Sequence, residues 1–141
     1  MEIERAIRAG NPDAAVCFNM DQVATLTKQV GNEDYTSGHV VGGGAHTIEW
    51  ETLYADRIAQ LEESPYIDGA LGHQFMPIVD GDNYWWQGTV AKTNEQVIAW
   101  SKSVTDAGGA ITWSIALNPH PLGVIQADVH AQLLALNEAY L

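Results

Sequence analysis

Hydrophobic residues recur at helical spacing in four stretches of the chain, and each stretch predicts an amphipathic helix. A shorter helix from Asp21 to Gln29 is a fifth prediction. The residues near position 50 also fit a strand from Thr47 to Leu53 followed by a shorter helix. The four main helices are one that Gly10-Asn11-Pro12 ends, one from about Ile48 to Glu62, one that opens at the capping box Thr93-Asn94-Glu95-Gln96 and stops at Gly108-Gly109, and one from about Ile125 to Tyr140.

Three other stretches predict strands. Ala14 to Phe18 is a short, continuous apolar run, which is typical of a strand buried on both faces. Ala70 to Pro77 reads as a strand with a polar end. Ala110 to Leu117 alternates large apolar and small residues, so we expect one face against helices and the other in a tight interior. A turn at Asp80-Gly81-Asp82-Asn83 follows the second strand.

Alternation of strands and helices predicts an α/β fold with a mostly parallel sheet. We expect one domain over residues 1–141, built from βα units like half of a TIM barrel. Three or four strands are too few to close a barrel, and unpaired strand edges favour pairing with another chain. The sequence therefore predicts a homodimer that completes the barrel. The alternative is a small, complete α+β domain.

Composition narrows the classes of partner. The 141 residues carry 18 acidic against 6 basic side chains, and this net charge of −12 argues against binding to nucleic acid or to an anionic membrane. A single cysteine, Cys17, excludes a disulfide within the chain and a thiolate-rich zinc site. No apolar stretch has the length of a transmembrane helix, and the charged N-terminus lacks a signal-peptide pattern. We expect a cytoplasmic location by default, with a secreted parent protein as the alternative, and no cofactor.

Several short motifs, taken in order, resemble the C-terminal half of the alpha-L-fucosidase family of glycoside hydrolases. The resemblance implies a (β/α)8-type barrel and a retaining mechanism on a fucoside or another glycan. The motifs are Asn11-Pro12-Asp13-Ala14-Ala15-Val16 with Asn19, the acidic-aromatic loop Glu33-Asp34-Tyr35-Thr36, the aromatic pairs around Trp50-Glu51 and Trp85-Trp86, the segment from Val104 to Trp113, and Pro121-Leu122-Gly123-Val124-Ile125.

Two departures from that family affect the expected activity. The nucleophilic aspartate of the family lies upstream of the part that matches residue 1. The acidic-aromatic loop leads into a glutamate in the family, whereas here it continues into Ser37-Gly38-His39. A retaining glycosidase needs two carboxylates roughly 5 Å apart. We therefore predict a protein that binds sugar or is inactive alone, with a glycosidase active only as an assembled dimer as the alternative.

Aromatic and carboxylate side chains supply the predicted sugar site, because indole rings stack on sugar faces and polar groups bind hydroxyls. Adjacent tryptophans on a strand face opposite ways, so one of Trp85 and Trp86 faces this site. The predicted catalytic residues are Glu51, Asp80 and Asp82, and the predicted sugar-binding residues are Trp50, His73, Trp85, Trp86, Asn19 and His39.

A second class of function is metal binding. His39, His46, Glu49 and His73 are the residue types that hold zinc or another divalent ion, and His46 and Glu49 would share one face of a helix. The competing interpretation is that these histidines are solvated or hydrogen-bonded within a loop, and we prefer it. Cys17 lies in an apolar run, which predicts an unreactive buried thiol.

Overall fold

The computed structural model describes residues 2–19, 25–39, 50–80, 89–90, 92–115, 117–118 and 123–141, although at positions 50, 51, 80, 89 and 118 it describes the backbone alone. The helices are α1 (Glu2–Gly10), α2 (Trp50–Glu63), α3 (Asn94–Asp106) and α4 (Ala127–Glu138). The strands are β1 (Tyr66–Ile67), β2 (Ala70–Leu71), β3 (His73–Pro77), β4 (Val79–Asp80), β5 (Thr89–Val90), β6 (Ala110–Ser114), β7 (Leu117–Asn118) and β8 (Val124–Ile125).

Helix α3 begins and ends at the residues that the sequence predicts. The Thr93 hydroxyl accepts a hydrogen bond from the backbone N–H of Gln96, and the Gln96 side chain accepts one from the backbone N–H of Thr93. Gly108 follows the helix at a φ of +80°, a conformation that glycine adopts without steric cost. The buried residues Val97 and Val104 then direct one face of the helix inward.

The first hydrophobic cluster lies between helices α2 and α3 and one face of the sheet. Its buried members are Leu26, Tyr54, Leu61, Met76 and Val104. Strands β3 and β6 are parallel and pair from His73 with Ala110 to Pro77 with Ser114. A strand, a helix and a parallel strand therefore form the βα unit that the sequence predicts.

A second cluster packs helix α4 against the short strands β4, β5 and β8, which precede it in the chain. Ile78, Val79 and Val129 are fully buried there, and Leu133 and Ile125 pack around them. Strands β4 and β5 pair antiparallel, as do β7 and β8, and β1 and β2. Within the described residues, only one strand pair of four is parallel and the strands form no closed barrel. The fold is mixed α/β, but the mostly parallel sheet of the sequence prediction is not what these strands form.

Two predicted elements are wrong in the described residues. Residues 14–18 form no strand, and Ala15 is exposed, so this run is not buried on both faces. Residues 25–29 are not helical, which contradicts the C-terminal part of the helix predicted from Asp21 to Gln29. The strand predicted from Ala110 to Leu117 ends at Ser114, and helix α4 begins at Ala127 rather than at Ile125.

One further predicted helix is confirmed, and other predictions concern residues outside the described part of the chain. Helix α2 confirms the helix predicted over this region, with Leu53, Arg57 and Leu61 buried on its inner face. Residues 81–83 of the predicted turn lie outside the described residues. So do residues 47–49, where the alternative strand from Thr47 to Leu53 would begin. Among the helices that the structure describes, none combines the length and apolar character needed to cross a membrane.

Candidate functional site

Residues 34–38 run beside strands β2 and β3 and extend the parallel arrangement. The Leu71 N–H donates to the Asp34 carbonyl at 2.8 Å, and the Thr36 N–H donates to the Leu71 carbonyl at 2.9 Å. Tyr35 forms an isolated parallel bridge with Leu71. This loop, the acidic-aromatic motif of the sequence, is therefore fixed to the sheet edge rather than projecting from it.

Gly38 allows the loop to approach strand β3 closely. It has a φ of +62°, and a Cβ atom built on it would lie 2.1 Å from the carbonyl oxygen of His73. The Arg57 guanidinium, which is fully buried, donates to the Gly38 carbonyl at 2.6 Å. Burial lowers the pKa of Arg57 to about 10, so the group stays charged at neutral pH. A buried cation thus holds the backbone between Ser37 and His39.

The two carboxylates of the loop bind backbone N–H groups. Glu33 accepts from the N–H of Phe18 at 2.7 Å and from the N–H of Gln29 at 2.6 Å. Asp34 accepts from the N–H of Val16 at 2.7 Å, and this bond, with the nearby Arg8 guanidinium, lowers the pKa of Asp34. These contacts replace a strand partner for residues 14–18, which explains why the apolar run forms no strand. Both carboxylates are occupied in holding the chain.

His73 is 9% exposed and joins the loop to strand β6. Its Nδ1 lies 3.0 Å from the Thr36 carbonyl and 3.2 Å from the Ser37 carbonyl, and its Nε2 lies 2.8 Å from the Thr112 hydroxyl. Because carbonyl oxygens only accept, Nδ1 carries the hydrogen. Burial lowers the pKa of His73, and the charge of Arg57 adds to this against the two carbonyls. His73 is therefore a neutral side chain at neutral pH.

His39 lies on the same side of the sheet in a different environment. Its Nδ1 is 2.9 Å from the Asn19 side-chain nitrogen, and its backbone N–H donates to the Ser37 hydroxyl at 3.3 Å. The Phe75 ring meets the imidazole edge to face, with centroids 5.2 Å apart and planes at 77°. The ring is held on two sides.

A cleft of about 330 Å³ opens between these groups. Alternation along β3 and β6 places His73, Phe75 and Thr112 on one sheet face, and Met76 on the other face with the first hydrophobic cluster. The residues that line the cleft are Cys17, Asn19, Tyr35, Ser37, His39, His73, Phe75 and Thr112. The cleft therefore lies across the sheet from α2 and α3.

The accessible lining of the cleft is mostly apolar, and its titratable side chains Cys17 and His73 are uncharged at neutral pH. Burial, with the nearby Glu33 charge, raises the pKa of the Cys17 thiol to about 11, so the thiol is protonated and unreactive at neutral pH. Burial also raises the pKa of Tyr35. Amide, hydroxyl and imidazole groups lie beside two aromatic rings, an arrangement suited to a ligand that has both hydroxyl groups and apolar faces.

The structure brings three of the predicted sugar-binding residues together: Asn19, His39 and His73 line the cleft. The sequence analysis missed Ser37, Thr112, Tyr35 and Phe75. Thr112 carried a usable signal, since it lies on the small-residue face of its strand. Trp50 and Glu51 open helix α2 and Asp80 ends strand β4, but their side chains lie outside the described residues, as do Asp82, Trp85 and Trp86 entirely.

The described residues contain no cluster of side chains that would support the metal-binding hypothesis. Within the part of the chain that the structure describes, no group of three or more His, Cys, Asp or Glu side chains is placed to hold an ion. His46 and Glu49 lie outside that part, so the set His39, His46, Glu49 and His73 stays a prediction. Of that set, the two histidines that the structure describes, His39 and His73, both form hydrogen bonds with protein groups.

No protein-family model and no curated protein matches the chain. Solved structures do match the chain, among them three endo-fucoidan hydrolases of glycoside hydrolase family 107. MfFcnA4 and MfFcnA9 each superpose with a TM-score of 0.74 at 26% identity over 94% of this chain, and P5AFcnA with 0.60 at 27% identity over 80%. The chain spans 22%, 26% and 32% of the length of those proteins. It is similar to part of a glycoside hydrolase, and the enzymes it resembles here are endo-fucoidan hydrolases rather than alpha-L-fucosidases.

Proposed function

We propose that the chain is a carbohydrate-active, glycoside hydrolase-like protein whose cleft binds a sugar residue of a fucose-containing polysaccharide. The cleft between the 34–38 loop and strands β3 and β6 carries this proposal. Its aromatic rings, Tyr35 and Phe75, offer apolar contact to a sugar ring, while Asn19 and Thr112 offer hydrogen bonds to hydroxyls. The polysaccharide class is inferred from the endo-fucoidan hydrolases that share the fold.

The uncharged side chains of the cleft suit the hydroxyl groups of a sugar residue. His73 is neutral because it is buried beside the Arg57 charge, and the Cys17 thiol is protonated. Neither residue offers a full charge to a ligand, whereas hydroxyl and amide groups can each donate and accept. A sugar ring has this pattern of bonding on its edge and apolar C–H groups on its face.

Sugar binding is tested by titrating fucoidan oligosaccharides into the chain and measuring affinity by calorimetry. Replacing the exposed Thr112 by valine keeps the shape and removes the hydroxyl, which also bonds His73, and we expect affinity to fall about three- to tenfold. Thr105→Val is the matched control, since Thr105 bonds helix carbonyls on α3. Equal affinity in the two variants, or equal binding of an unrelated glucan, would contradict the proposal.

A second function, hydrolysis, is favoured by the position of His39. It follows the acidic-aromatic loop where the fucosidase-like pattern has a glutamate, and it lines the cleft. We propose that His39 stands in the place of the acid/base group. Of the residues that the structure describes, no carboxylate lines this cleft. A retaining reaction would thus need a carboxylate from elsewhere, for which Glu51, Asp80 and Asp82 remain the predicted residues.

Assembly is part of the hydrolysis proposal. Among the described strands, β6 pairs with β3 alone, so pairing of two chains edge to edge would extend this sheet and bring a second set of residues to the cleft. Sedimentation equilibrium distinguishes a homodimer from a monomer, and release of reducing ends from fucoidan measures turnover. We expect turnover in the dimer fraction and its loss in Glu51→Gln, Asp80→Asn or Asp82→Asn. Turnover by a monomer that survives all three changes would contradict this proposal.

A further inference from the structure

The contact between Asn19 and His39 constrains where the imidazole carries its hydrogen. The Asn19 side-chain nitrogen lies 2.9 Å from Nδ1 of His39. An amide NH₂ group only donates, so Nδ1 must accept and must be unprotonated. In the neutral ring the hydrogen is then on Nε2.

Ser37 supports this orientation of the amide. Its hydroxyl oxygen accepts the backbone N–H of His39 at 3.3 Å and lies 3.4 Å from the carbonyl oxygen of the Asn19 amide. The hydroxyl donates to that amide oxygen, which places the NH₂ group of Asn19 toward the ring. Ser37, Asn19 and His39 thus form one hydrogen-bonded chain of side chains.

We propose that Asn19, oriented by Ser37, is a positioning residue that holds His39 as the Nε2–H tautomer. The significance for ligand binding rests on the proposed function, because the Nε2 hydrogen is then what His39 offers to an acceptor oxygen of a sugar. The geometry of the ring itself does not depend on that function.

The two histidines of the cleft thereby hold opposite tautomers. His73 carries its hydrogen on Nδ1, between the carbonyls of Thr36 and Ser37, and its Nε2 accepts from the Thr112 hydroxyl. His73 makes protein contacts at both nitrogens and orders the wall, and His39 carries its hydrogen on the opposite ring nitrogen, Nε2.

The tautomer is tested by NMR on the full chain with ¹⁵N-labelled histidine, about two pH units above the ordinary histidine pKa of about 6.5 so that the rings are neutral. His39→Gln assigns the signals. We expect Nδ1 of His39 to have the shift of an unprotonated ring nitrogen and Nε2 that of a protonated one. His73 is the internal comparison and should show the reverse. A protonated Nδ1 in His39 would overturn the proposal.

Variants then test the cause. Asn19→Asp replaces the donor by an acceptor, so the hydrogen should move to Nδ1 of His39. Asn11→Asp is the matched control, because Asn11 is exposed and uses its side-chain oxygen as an acceptor, which aspartate retains. Ser37→Ala removes the group that orients the amide and should give a mixture of tautomers. An unchanged His39 tautomer in either Asn19→Asp or Ser37→Ala, with the amide spectrum of a folded chain, would overturn the assigned role.

Oligosaccharide titration separates this inference from the proposed function. If the wild-type chain shows the Nε2–H tautomer and binds fucoidan oligosaccharides, we expect Asn19→Asp to bind at least tenfold more weakly than Asn11→Asp. Correct tautomers with no sugar binding would refute the function and leave the assignment of Asn19 standing. Sugar binding with the wrong tautomer would do the opposite.

Discussion

Replacing Gly38 by alanine tests whether the close approach of the 34–38 loop to strand β3 holds the cleft together. Alanine at this position adds a Cβ atom that meets backbone atoms: the His73 carbonyl oxygen at 2.1 Å, Gln74 Cα at 2.6 Å and the Phe75 nitrogen at 2.8 Å. Backbone atoms cannot rotate away as a flexible side chain would. The loop must therefore move away from the strand.

Two costs add in this variant. A residue with a Cβ loses about 1–2 kcal/mol in the left-handed region that Gly38 occupies. Forcing an extra methyl group into a packed site costs a further 1–3 kcal/mol, roughly. We expect the free energy of unfolding to fall by about 2–5 kcal/mol. That loss is a large fraction of the stability of an ordinary domain.

Two other glycines separate these costs. Gly69 has a φ of +84° with its nearest group, the Lys28 amine, at 4.0 Å, so Gly69→Ala should cost about 1–2 kcal/mol from the backbone alone. Gly31 has nothing within 4 Å and no positive φ, so Gly31→Ala should change stability by about 0.5 kcal/mol or less. Urea unfolding with a common slope measures all three variants. If Gly38→Ala were no less stable than Gly69→Ala, the close approach would not hold the loop.

Three further perturbations test other contacts. Asp34→Asn should reduce the acid sensitivity of the fold, and urea midpoints at neutral and acid pH measure this. The folded-state pKa of Asp34 is lowered, so its contribution to stability is full above the ordinary pKa of 3.8 and is lost as pH falls through the lower folded-state pKa. Thr93→Ala removes the cap of α3 and should cost about 1 kcal/mol by thermal unfolding, with retention of full stability as the contrary result. Trp85→Ala and Trp86→Ala should weaken sugar affinity unequally, by on the order of 1–2 kcal/mol for the ring that stacks, and equal negligible effects would remove both from the site.

Local signals in the sequence were sufficient for helices α2 and α3. The capping box at Thr93 and Gln96 and the glycine after α3 act within a few residues of one another, so their effect can be read without knowing the fold. The apolar spacing around Leu53 and Leu61 likewise identified α2. Such elements are determined by neighbours along the chain.

The errors came from contacts between distant residues. The apolar run at Ala14 to Phe18 has the composition of a buried strand, yet carboxylates from the 33–34 loop bind its N–H groups in place of a ladder. Sequence patterns do not reveal that a side chain will substitute for a strand partner. The full lining of the cleft could not be predicted from the sequence for the same reason. The contact of His73 with Thr112 depends on the register of two strands whose residues are 39 positions apart.

The wall of the cleft also implies an order of events during synthesis. Its residues come from four segments near positions 17, 37, 74 and 112, and each segment lies beside one made much earlier or later. Because translation adds roughly 5–20 residues per second, the early segments wait seconds for strand β6 to leave the ribosome. Until then the apolar run after α1 and the inner face of α2 have no complete core to enter. Arrested nascent chains that stop before Ala110 should thus remain open to protease, and protection should come in one late step as β6 pairs with β3.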